Sequence, residues 1–188
     1  MANVLTPPFR VSYPAIFQAK KNDLNGKMEY SVVALFKKGE NLDKLKAAVR
    51  ECIEAKLGKD QTKWPKNLKT PFRDQVEREK LNEETGKMVL PEGYEAGAIF
   101  MNLKSTQRPG LVDKDVNPII DQSEFYAGCW AIASVNPFYY DQKGNRGVSL
   151  GLQNIQKVRE GDPLGGRTKA EDDFAPIAGA ADSTSLFE

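Results

Sequence analysis

Histidine is absent from the 188 residues. That removes the side chain most often used as a general base near neutral pH, and the commonest metal ligand. The only two cysteines, Cys52 and Cys129, stand far apart, with no CxxC pair and no spacing that suggests a disulfide framework. A zinc site and a disulfide-stapled secreted scaffold are therefore not expected, and a reducing compartment is. No run approaches the ~20 apolar residues that span a bilayer. The opening MANVLTPPFRVSYP lacks the charged segment and apolar block of a secretory leader. GDPLGGRTK has glycines and a basic pair, but neither the GxxxxGK spacing nor a strand-to-helix context for a phosphate loop. The acidic pairs Glu83–Glu84 and Asp172–Asp173 lie in polar segments without the periodicity that would fix a metal or a water. No nucleophile stands beside a base. The expectation is a protein that is not an enzyme and takes no cofactor or metal.

What is present is charge with an uneven distribution. The whole chain carries 27 Lys and Arg against 26 Asp and Glu. Residues 171 to 188 hold Glu171, Asp172, Asp173, Asp182 and Glu188 and no basic residue, which leaves residues 1 to 170 with a surplus of six positive charges. A basic body with an acidic tail is a charge pattern with physical consequences. From GDPLGGR onward periodicity is lost and Gly, Pro, Ala, Ser and acidic residues dominate. The division expected is a folded body over residues 1–160 and a flexible acidic tail over 161–188 with an apolar tip at Leu186 and Phe187.

Within the body the hydrophobic pattern is mostly of period two. FRVSYPAIF (9–17) alternates, with Pro14 signalling an edge, bulge or bend. After the polar turn KKNDLNGK comes MEYSVVALFKK, whose Tyr30, Val32, Ala34 and Phe36 share one face; the two strands make a hairpin. NLDKLKAAVRECIEAKLG (41–58) repeats Leu42, Leu45, Val49, Cys52, Ile53 and Lys56 at spacings of three and four. It predicts the one main helix, capped by Asn41 and stopped at Gly58. Residues 59–95 form a long polar insertion with three prolines, in which NEETGKMVL suggests a turn and a short strand. Three further strands begin in GAIFMNL, FYAGCWAIASV and RGVSLGLQNIQKV, the last marked by Gly147 and Gly151 as curved. Short curved strands with one main helix predict a small closed β-barrel with a helical insertion.

The remaining signal is aromatic rings interleaved with cations, in PPFRVSYP, KWPKNLKTPFR, NLKSTQRP and PFYYDQKGNR. Single-stranded nucleic acid asks for this mixture, because cations follow the phosphates and ring faces stack on unpaired bases. Strand spacing places Phe17, Phe36 and Phe100 in the core, and Trp130, between Cys129 and Ala131, is expected there too. Trp64 and Phe72 fit binding or local packing equally. Tyr139 and Tyr140 beside a polar turn are expected to be exposed. Adjacent strand residues point to opposite faces, so at least one of Phe138, Tyr139 and Tyr140 faces outward. The stacking candidates are Tyr13, Trp64, Phe72, Tyr139 and Tyr140. The phosphate candidates are Lys20, Lys37, Lys66, Lys69, Arg73, Lys104, Arg108, Lys143 and Arg146.

The stretch YAGCWAIASVNPFYYDQKGNRGVSLGLQNIQKVREGDPLGG, followed by EDDF, resembles the C-terminal signature of the DUF2815 family of bacteriophage single-stranded DNA-binding proteins. RVSYPAIFQAK, YSVVALFKKGENLDKLKAAV, LKTPFRD and STQRPGLVD match upstream, so the resemblance runs over roughly residues 9–174. It implies an OB-fold, a mainly β five-stranded Greek-key barrel, with the helix and the 59–95 loop as insertions. It also implies sequence-independent coating of single-stranded DNA in phage replication or recombination, in the cytoplasm of the infected bacterial host. The tail resembles those of other single-strand binders, including the phage T7 class. Asp172, Asp173, Phe174, Asp182, Phe187 and Glu188 are then expected to compete for the basic groove and to meet replication or recombination proteins. Two alternatives share the same residues: an RNA-binding OB protein, and a barrel that binds protein rather than nucleic acid.

Overall fold

The computed structural model describes residues 3–165 and 173–177. Five strands carry the architecture: β1 (Phe9–Lys21), β2 (Met28–Leu35), β3 (Ile99–Ser105), β4 (Trp130–Gln142) and β5 (Asn145–Arg159). β1 pairs antiparallel with β2 and with β4, β2 antiparallel with β3, β3 parallel with β5, and β5 antiparallel with β4. The pairings return to their start, in the order β1-β2-β3-β5-β4. This closed five-stranded ring is the connectivity of an OB-fold, and closure removes exposed sheet edges. Short strands extend it: Val4–Leu5 along β4, Arg73–Asp74 along β3 and Gly110–Val112 along β5.

The alternation read from the sequence fills the barrel. Val11, Val32, Ala34, Met101, Leu103, Ala131, Ala133, Val135, Val148, Leu150, Leu152 and Ile155 point inward and are buried. α1 (Asp43–Leu57) packs Leu45, Val49, Cys52 and Ile53 onto the same core. Burial of each of its larger apolar side chains contributes roughly 1.5–3 kcal/mol. Asn41 sits one place earlier than a capping residue would: Leu42 occupies the cap position with no side-chain bond, while Asn41 Oδ1 accepts from the Asp43 N–H at 2.9 Å. Gly58 ends the helix at φ 85°, its N–H donating to Glu54 O.

Two strand faces depart from a simple inside–outside alternation. Val33, Leu35 and Phe100 lie on the outer side of the barrel yet are buried, covered by Tyr94 and Leu164. The covering chain comes from the insertion and from the segment after β5. Leu164 N–H donates to Ala127 O at 2.9 Å and Gly165 N–H to Glu92 Oε2 at 3.1 Å, so residues 161–165 lie against the barrel, past the boundary expected at 160.

The 59–95 insertion is fixed rather than loose near the barrel. Gln75 is fully buried; its Nε2 donates to Phe36 O (3.1 Å) and Ile99 O (3.0 Å), and its Oε1 accepts from the Glu95 N–H (2.7 Å). Each polar atom of that side chain is thus satisfied, which a buried amide requires. Beyond it, Lys80–Asn82 and Lys87–Val89 form a separate hairpin, the turn-and-strand unit expected from NEETGKMVL.

Candidate nucleic-acid interface

The β4–β5 connection is a two-residue turn, Lys143–Gly144, with Gln142 opposite Asn145. Both turn residues have positive φ, 52° and 84°, the twist that tight hairpins require. Long strands therefore run to the very tip, and Phe138 and Tyr140 face outward there. Beside them the insertion comes back to the barrel. Lys69 N–H donates to Arg146 O at 2.9 Å, and Val148 N–H donates to Lys69 O at 3.0 Å. Gly147 permits this approach: a Cβ on it would stand 2.4 Å from Lys69 O and 2.8 Å from the Tyr140 hydroxyl.

The result is a groove of about 570 Å³ between the insertion, β3 and the β4–β5 hairpin. Lys69, Phe72 and Arg73 form one wall, Asn102 and Lys104 of β3 the floor, and Tyr140 with Ser149 the other wall. Five of the sequence candidates meet here from three separated stretches. The electrostatics are tempered by acids. Arg73 donates through Nε and Nη2 to Glu77 Oε2 at 2.8 and 2.6 Å, and Lys104 Nζ lies 3.8 Å from Glu29 Oε2. Burial pushes the Tyr140 phenol up from its ordinary value, so the ring enters the groove neutral. Rings flanked by cations in an open groove suit a chain of unpaired bases on a phosphate backbone.

The family described as Enterobacter phage Enc34, ssDNA-binding protein, matches residues 2–185. The chain belongs to this family. Protein p50 of Acyrthosiphon pisum secondary endosymbiont phage 1 is 26% identical over 181 residues, covering 94% of this chain and 95% of p50. Among solved structures, the single-stranded DNA-binding protein of bacteriophage Enc34 in complex with ssDNA aligns with TM-score 0.65 at 18% identity, over 87% of this chain and 90% of that one. Gp2.5, the single-stranded DNA-binding protein of bacteriophage T7, aligns with TM-score 0.56 at 12% identity, over 93% and 98%. The fold of the Enc34 and T7 proteins is thus the fold of this chain.

In this Enc34-family chain the other candidates disperse. Lys143 and Arg146 lie at the tip beside the groove, Arg146 paired with Asp141 at 2.9 Å. Lys66 is exposed next to Asn67, whose side chain donates to Gly144 O at 3.4 Å. Tyr13 is 58% exposed at a β-bulge in β1, with φ 44°; Pro14 marked that irregularity. It lines a separate hollow of about 250 Å³ with Arg78, Lys80, Pro91 and Tyr94. Arg78 connects the two sites, donating to Asn102 Oδ1 at 3.2 Å. Tyr139 points inward and packs half-buried on the core, while Phe138 is 42% exposed and takes the outward place that the sequence left open. Trp64 packs against the core with its ring N–H on Gly58 O at 2.9 Å. Arg108 lies over Phe17, 5.8 Å from its centroid, and Lys20 is exposed opposite Glu29 in the β1–β2 ladder.

Trp130 corrects one expectation: it is half-buried on the outer side of the barrel, not in the core, and Lys37 lies over it. Arg78 and Asn102 are residues lining the grooves that were not among the sequence candidates. Of the tail candidates, Phe174 is 76% exposed and Asp173 is engaged in an interaction of its own. Asp172, Asp182, Phe187 and Glu188 lie outside the described residues. Among the described residues no group of three or more His, Cys, Asp or Glu is placed to hold a metal ion. No described helix is long and apolar enough to cross a membrane.

Proposed function

We propose that this chain binds single-stranded DNA without regard to sequence, coating strands exposed during phage replication or recombination in the cytoplasm of the infected host. The observation that carries the reading is the convergence of Phe72 and Tyr140 with Lys69, Arg73 and Lys104 in one open groove. Membership of a phage single-stranded DNA-binding family supports it. Bases stack on the rings, phosphates meet the cations, and no base-edge reader is needed. The protein acts by binding rather than catalysis. The acidic residues 171–188 compete with the strand as a tethered anion at high effective concentration, and serve as a handle for replication or recombination proteins.

The deciding experiment is a gel shift with single- and double-stranded DNA of one sequence, joined to a salt titration on oligo-dT. Retention of the single strand, with a log–log salt slope of about −0.7 per phosphate neutralised, is the expected result. Equal retention of duplex, or a flat salt response, overturns it. A ribo-oligomer of the same sequence held more tightly reassigns the groove to RNA. A chain ending at residue 170 is expected to bind more tightly at low salt; unchanged affinity removes the tail from the groove.

A further inference from the structure

A second ring-and-cation cluster stands at the opposite end of β4. Trp130 opens that strand on the outward side, two-residue periods away from Phe138 and Tyr140. Lys37 Nζ lies 5.0 Å and the Arg159 guanidinium carbon 4.3 Å from its ring centroid. Arg10 is opposite Trp130 in the β1–β4 ladder and lines with Trp130 and Arg159 a hollow of about 470 Å³. The Arg10 donors meet backbone oxygens, Gly128 O at 3.3 Å and Asp162 O at 2.6 Å. Glu160 and Asp162 also line the hollow, but Glu160 is held by Lys157 and Tyr126. Among the described residues, no ion pair involves Arg10, Lys37 or Arg159.

Three cations around one ring repel one another, and the ring's negative face offsets only part of that repulsion. An arriving anion relieves it. The chain after β5 lines this hollow at Glu160, Gly161 and Asp162 and then docks Leu164 and Gly165 at Ala127 and Glu92. A strand lying along the outer side of β4 reaches it directly. Trp130 and Tyr140 share that strand, at most ~33 Å apart at about 3.3 Å per residue. At a stacked spacing of ~3.4 Å that is about ten nucleotides, within the roughly 4–16 that one OB domain covers.

Resting on the DNA-binding reading above, we infer that Arg10, Lys37, Trp130 and Arg159 form a second contact station for the same single strand. It grips phosphodiesters about ten nucleotides from the bases stacked at Tyr140. The test compares the full-length protein with its K37Q/R159Q variant, both positions being exposed. Binding is read by anisotropy over a salt series with oligo-dT of about 5 and about 16 nucleotides, lengths that reach one station or both. The long oligomer is expected to lose about 1.4 from its salt slope, two phosphates' worth, and several-fold in affinity at low salt. The short oligomer is expected to keep its affinity and slope. An unchanged long oligomer, or equal losses on both lengths, overturns the second station. Tighter binding by the variant also overturns it, assigning the cluster to the chain's own carboxylates. Failure of the wild-type protein to hold even the long oligomer sinks the DNA-binding reading, and the station with it.

Discussion

Two parts of the outer surface set rings beside cations and handle the charge in opposite ways. In the Tyr140 groove Arg73 has Glu77 and Lys104 has Glu29. At the Trp130 hollow Lys37 and Arg159 lie over an indole face, and among the described residues neither has a carboxylate in an ion pair. In the paired groove two of the three lining cations have an acid, while no ion pair among the described residues involves Lys69; an incoming strand must compete with local acids, and the rings then supply much of the holding. The Trp130 hollow has one ring already covered by its own cations, Lys37 and Arg159, so it suits phosphate better than base. The difference separates stacking from charge neutralisation on a single barrel, which makes the two contributions separately measurable.

The sharpest break between them comes from Tyr140→Ala. One lost base-stacking contact is worth about 1–3 kcal/mol, or roughly 5- to 150-fold in affinity for oligo-dT, with the salt slope left nearly unchanged. Tyr140→Phe keeps the ring and is expected to stay within about twofold, since a neutral phenol and a phenyl offer similar stacking faces. Fluorescence-detected titration of both variants, beside their thermal melts, checks this. A Tyr140→Ala protein that melts as wild type and binds as wild type would leave the groove with Phe72 alone as its platform.

The barrel was largely readable in the sequence because its strands obey period two, and a one-residue error would turn every inward side chain out. Val11, Val32, Ala34, Met101, Leu103, Val148, Leu150 and Leu152 all went inward as the alternation required. The same rule, applied strictly, places Trp130 outside: Cys129 and Ala131 flank it and both are buried. Those apolar neighbours suggested core, but adjacent strand residues point to opposite faces, so buried neighbours argue for an outward ring. Val33, Leu35 and Phe100 were harder, because what buries their outer face, Tyr94 and Leu164, comes from far along the chain. The groove was half legible. PFYY and KTPFR supplied its rings and cations, but their meeting depends on the Lys69 backbone bonding across to Arg146 and Val148, a pairing no local pattern encodes. Arg78 lay in a segment whose residue types carried no binding signal by themselves, and Asn102 opened the NLKSTQRP stretch as an uncharged, non-aromatic side chain that the search for rings and cations passed over.

A smaller effect sharpens the electrostatic side. Glu77→Gln removes the acid that holds Arg73, leaving the groove's cations less neutralised, as those at Trp130 are. Oligo-dT binding is expected to tighten about two- to fivefold at low salt and to converge on wild type near 1 M, where screening reaches within ~3 Å. Stability is expected to change by less than about 1 kcal/mol, since both side chains of the pair are substantially exposed. Weaker binding at low salt would mean that the Glu77 contact orients Arg73 for the strand rather than competing with it.

The smallest effect is a matter of pH. Burial pushes the Glu29 carboxyl up, but the side-chain amides of Asn22 and Asn25, with Lys104 and Lys27, outweigh it and hold the group below its ordinary value. The folded state therefore favours the charged form more than the unfolded chain does. Glu29 contributes stability above its unfolded value, and that contribution is lost as pH falls through the lower folded value. Melting wild type and Glu29→Gln from neutral pH downward is expected to show wild type ahead at neutral pH and the gap closing only in acid. Over the same range Lys104 loses its carboxylate partner, while no ion pair among the described residues involves Lys37 or Arg159. The short oligomer, confined to the Tyr140 groove, should then gain affinity from the release of Lys104, and a Glu29→Gln protein should lack that gain. A constant gap between the two melting curves across the acid range would show that the two amides hold the loop in place regardless of charge, and the groove's pairing would then rest on Arg73 and Glu77 alone.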